Sequence, residues 1–170
     1  MCPTRIRDIE MKGIVRLMVA VAIMLCGTTI ANAQSTVYVF MRSAINADCV
    51  MAINGGEPFE IRGPLKKTMM NLSGPEPNKF YHPAKKKIVL KEEGKALFSA
   101  KYTFYANMDR SNPRDMVAEI QLNLSEGSVH YVKLSFKGMN DVQLKEVEEK
   151  EGLKLLKDKK YKELPEFIEQ

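Results

Sequence analysis

Ala118-Glu119-Ile120-Gln121-Leu122-Asn123-Leu124 alternates strictly between apolar and polar side chains, and Met116 extends its apolar side by one more step. A period of two places Met116, Ala118, Ile120, Leu122 and Leu124 on one face, the signature of a half-buried strand. Ser125-Glu126-Gly127 then turns the chain, and Val132, Leu134 and Phe136 alternate with Lys133, Ser135 and Lys137. Upstream, Ala96, Phe98, Ala100, Tyr102 and Phe104 oppose Ser99, Lys101 and Thr103, within a strand expected over 96–106.

The same pattern recurs outward from this centre. Val37-Tyr38-Val39-Phe40-Met41 is β-branched and aromatic, a strand by composition. Two short apolar runs, 49–53 and 59–62, flank Asn54-Gly55-Gly56, whose tolerance of positive φ predicts a tight hairpin turn. Residues 86–91 and 141–147 give two further strands, and the three prolines within 71–83 predict a loop there. Only 148–161 reads as helix, weakened by Gly152, and Pro165 opens an expected loose end over 165–170. Seven or eight short strands and one terminal helix predict a mostly β fold. The expected form is an antiparallel immunoglobulin-like or transthyretin-like sandwich with a short C-terminal helix.

The chain has 170 residues. Its first 33 read as a signal peptide: a basic start around Lys12 and Arg16, an apolar run from Leu17 to Cys26, and Ala31-x-Ala33 before the cleavage point. Asp8 and Glu10 are foreign to such a leader, which makes Met11 the alternative start. The apolar run falls short of the ~20 residues that span a bilayer, which argues against a retained membrane anchor, the competing reading. Cys26 follows Leu25 rather than a small residue, which argues against lipid attachment. Removing 33 of 170 residues leaves 137, enough for one domain over 34–164 plus the tail. Four basic and two acidic residues leave with the leader, so 22 cations face 19 anions and the remaining net charge is +3. That balance excludes a nucleic-acid binder's basic signature. The expected location is outside the cytoplasm, in a periplasm or at a cell surface, with no transmembrane segment after cleavage.

Chemistry-bearing motifs are few. His82 and His130 stand 48 residues apart with no Gly-x-Ser-x-Gly elbow; His130 shares a face with Val132 and Leu134 and reads as a packing residue. One cysteine beyond the leader, Cys49, lies on the side of Met51 and Ile53 and reads as a small core hydrophobe. No zinc spacing exists, and Asp109 with Asp115 lacks the patterned loop calcium favours. Glu92-Glu93 and Glu148-Glu149 read as turn charges. Neither a catalytic site, a metal nor a cofactor is expected.

The segments 37–42, 50–61, 130–134, 144–147 and Glu151-Gly152-x-x-x-Leu156 resemble a family of small exported bacterial β-sandwich domains of unknown function. That resemblance implies fold and export only.

What stands out is Lys85-Lys86-Lys87, preceded by Lys66-Lys67, Lys79, Phe80 and Tyr81. Cations beside aromatic rings suit an anionic envelope polymer, and the candidate ligand-binding residues are Lys85, Lys86, Lys87 and Tyr81. The competing reading is a solvated strand start whose lysines deter edge-to-edge aggregation. The expected function is therefore a non-catalytic exported domain that binds such a polymer or another envelope protein. A small envelope hydrolase using a carboxylate pair and a structural subunit of a surface assembly are the alternatives.

Overall fold

Strand alternation converts directly into two sheets whose apolar faces share one core. The computed structural model describes residues 34–70, 77–105, 113–137 and 141–168; the expected signal 1–33 lies outside them. Strands β1 (Ser35–Met41), β6 (Ala84–Leu90), β9 (Val129–Phe136) and β10 (Val142–Glu146) form the first sheet, in the order β10-β9-β1-β6. Strands β2 (Ala47–Ile53), β3 (Phe59–Glu60), β7 (Gly94–Tyr105) and β8 (Pro113–Leu124) form the second, in the order β3-β2-β7-β8. Val37, Val39, Ile88, Leu90, Val132 and Leu134 from the first meet Cys49, Met51, Phe98, Ala100 and Leu122 from the second in a single buried cluster. The expected inward faces of β7 and β8 are the observed ones. The Asn54-Gly55 turn also holds, with φ of 50° and 74°.

Four expectations change. β1 and β9 run parallel, with Val39 opposite Val132, so the first sheet is mixed rather than wholly antiparallel. A side-chain period of two is the same for either direction, and alternation therefore carries no information about it. The expected loop over 71–83 contains a strand, β5 (Asn78–Tyr81), paired with β4 (Leu65–Met69) in a separate two-stranded sheet; residues 71–76 lie outside the described set. All five β4 residues are exposed, so no apolar period announced that strand. The helix α1 is shorter than expected, Glu149–Lys157. Finally, the expected loose end over 165–170 carries a strand, β12 (Phe167–Ile168), which pairs in parallel with β6 as does β11 (Lys162–Glu163) just before it; residues 169–170 lie outside the described set.

The tail and α1 explain why β1 is apolar throughout. Its outward Phe40 is fully buried, with Tyr161 edge-on at 5.8 Å between ring centres. Its outward Tyr38 stacks on Tyr131 at 5.7 Å, and a strand buried on both faces reads as a continuous apolar run.

Candidate functional site

The three lysines open β6, and the pleat sends them to two faces as alternation requires. Lys86 follows the inward side of Ile88 and Leu90. Only 8% of it is exposed, its ammonium donates to the Pro165 carbonyl at 2.8 Å, and it lies 5.3 Å from the Phe59 ring centre. Burial lowers its pKa, although Glu60 works the other way. Lys85 and Lys87 face outward beside Tyr38. Lys85 donates to the Leu156 carbonyl at 2.7 Å and pairs with Glu163 at 3.0 Å; Lys87 pairs with Glu166 at 2.8 Å, and that hydrogen bond raises its pKa.

Tyr81 is not part of this group. It ends β5, is 7% exposed, and its ring stands 4.3 Å under the Arg62 guanidinium. Adjacency along the chain suggested that Tyr81 accompanies the lysines; the change of sheet between β5 and β6 separates them. Tyr38 takes its place, because β1 pairs with β6 and sets Tyr38 directly opposite Lys87. No spacing in the chain could have linked residues 38 and 87.

Tyr38, Lys85, Lys87, Leu156, Glu163, Leu164 and Glu166 line an outward hollow of about 430 Å³. Strand β6 supplies its cations, the end of α1 and the tail supply its carboxylates and leucines, and β1 supplies the ring. Such a lining suits a charged group carried on an apolar or ring-shaped body. A second hollow of about 250 Å³ is lined mainly by Ile45, Tyr102, Phe104, Met116 and Phe136 and is apolar.

The other candidate groups fall as follows. Asp115 pairs with Lys101 at 2.6 Å and accepts from the Thr103 hydroxyl at 2.8 Å, which holds its carboxyl below the usual range; Asp109 lies outside the described residues. Among the described residues no group of three metal-ligating side chains gathers, and no helix is long and apolar enough to cross a membrane. His82 donates its backbone amide to Pro64 in a loop. His130 lies on the core-facing side of β9, but as part of a polar network. Its Nδ1 is 2.6 Å from Glu146 Oε1 and its Nε2 is 3.1 Å from Ser128 Oγ. Glu146 is opposite Val132 in the antiparallel β9–β10 pair, one diagonal step from His130 and within reach of a long side chain. The strand register that brings Glu146 to His130 is not legible in the order of residues along the chain.

Comparison with protein-family models, with curated proteins and with solved structures finds no match to this chain. Its chemistry is read from its own geometry.

Proposed function

We propose that this chain is an exported binding domain that holds an anionic envelope polymer in the hollow of Lys85, Lys87 and Tyr38, on an immunoglobulin-like or transthyretin-like sandwich. Export is supported by the three-part leader ending at Ala33. The sandwich type is supported by two sheets around one core, with the chain passing between sheets after β1, β6 and β8.

The observation that carries the binding reading is the hollow itself: two outward ammonium groups flank an aromatic face, and the carboxylates now holding them come from the exposed tail. Lys87 and Glu166 are each about two-fifths exposed. Exposed pairs of this kind are worth ~0–1 kcal/mol, so a polymer with several charges can displace the carboxylates. Attachment through two cations, of which Lys87 is the more exposed, is modest in strength and weakens as salt shortens the Debye length below ~8 Å.

The test is elution of the purified chain from immobilised polygalacturonate and dextran sulfate in a salt gradient. Replacing Lys85 and Lys87 by Gln abolishes retention, whereas replacing Glu163 and Glu166 by Gln removes the competing carboxylates and moves elution to higher salt. No retention of the wild type, or identical elution of all three chains, rules the reading out.

A further inference from the structure

We infer that Ser128, His130 and Glu146 form a second, nucleophilic site that cleaves small carboxylic esters. The polarity of the network carries the inference. Glu146 Oε1 takes the Nδ1 side of the imidazole at 2.6 Å, and the Ser128 hydroxyl lies on the Nε2 side at 3.1 Å. A carboxylate at that distance keeps a proton on Nδ1, so a neutral ring turns its Nε2 lone pair toward the hydroxyl. Nucleophile to base to orienting carboxylate is the order acyl transfer requires, and it is recognised by geometry, not by position in the chain.

The surroundings prepare Ser128 further. Its oxygen accepts from the Ser125 amide at 3.2 Å, which fixes the side chain over the turn. Ser35, 1% exposed, gives its own proton to the Ser125 carbonyl at 2.8 Å and lies 3.2 Å from Ser128 Oγ as a competing acceptor. Imidazole is the stronger acceptor of the two and takes the Ser128 proton when it is neutral. The same turn carries the Glu126 and Gly127 backbone amides, which make no backbone–backbone hydrogen bond of the turn and loop kind and would serve a developing oxyanion. Ser128 is half-buried at the surface turn, so a small acyl group such as acetyl reaches it from solvent.

In the reaction, Ser128 Oγ bonds to the acyl carbon while its proton moves to His130 Nε2. The carbon–oxygen bond to the leaving group then breaks, and that oxygen takes the proton from His130. Water, deprotonated by the same nitrogen, hydrolyses the acyl-serine and restores the hydroxyl. Glu146 is a positioning residue that acts through His130.

The experiment treats the chain, purified after expression in full, with a fluorophosphonate probe and with p-nitrophenyl acetate. The expected result is one phosphonyl adduct at Ser128, located by peptide mass mapping of the wild type and therefore independent of how any variant folds. Ser128→Ala loses the adduct and ester turnover above buffer. His130→Gln slows both by about 100-fold. Glu146→Gln lowers kcat with KM unchanged, a split that a merely structural role does not produce. Absence of an adduct on the wild type, an adduct on any other residue, or equal labelling rates in wild type and folded His130→Gln overturns the inference. Binding through the lysine hollow is read separately, by salt elution, and stands or falls without it.

Discussion

Cys49 shows a side chain whose chemistry is set by the strand face it occupies. Alternation along β2 places it with Met51 and Ile53 in the core, directly opposite Tyr102 on β7. Burial pushes its thiol up to about 12, and burial also pushes the Tyr102 phenol up to about 12. In the unfolded chain these groups ionise near ~8.5 and ~10. Above those values the unfolded state binds fewer protons than the folded one, so stability falls as pH rises, by up to about 1.4 kcal/mol per pH unit for each group. The loss levels off near pH 12, and below about pH 7 neither group contributes a slope. Urea unfolding followed from neutral pH to about pH 10 checks this: Cys49→Ala removes the part of the alkaline slope that begins first. At mildly alkaline pH a thiol reagent modifies Cys49 only once the chain unfolds.

Among the elements, α1 depends on the residue that weakens it in isolation. A glycine costs a helix about 1 kcal/mol relative to alanine. Yet a Cβ at position 152 meets the Tyr131 ring, 2.1 Å from its Cγ. The ring has little freedom to retreat, since its other neighbour is the stacked Tyr38. Close approach of helix backbone to sheet therefore outweighs propensity. Gly152→Ala is expected to lower stability by about 1–3 kcal/mol, against the gain of about 1 kcal/mol that propensity alone predicts. Thermal melting of the variant decides the sign. A rise in Tm shows that α1 docks without needing the bare backbone.

At the scale of the whole molecule, the tail closes the first sheet. Strands β11 and β12 are two residues each, but they lie along β6, which is otherwise the edge of its sheet. Phe167 stacks on Phe59 at 4.2 Å, Tyr161 covers Phe40, and Lys86 reaches the Pro165 carbonyl. Each aromatic pair is worth ~0.5–1.5 kcal/mol beyond its buried area. Truncation before Asp158 is expected to cost about 3–5 kcal/mol and to leave β6 open to pairing with another chain. Melting reports the first effect and sedimentation at increasing concentration the second. Unchanged stability and a monomeric truncation product mean that the tail is dispensable.

Residue order alone determined the local properties that depend on near neighbours. The faces of β7 and β8 followed from Ala96 to Phe104 and Met116 to Leu124, because a pleated strand must sort a period of two. The Asn54-Gly55 turn followed from their tolerance of positive φ, and the interior place of Cys49 followed from the side it shares with Met51. Tertiary structure alone decided which strands became neighbours. Strand pairing set Tyr38 opposite Lys87, brought Glu146 within reach of His130, ran β1 parallel to β9, and drew the tail over the lysines. Alternation states only which side a residue faces. What stands beside it depends on register and pairing between segments distant in the chain, and those are selected by burial of the whole core rather than by any local run.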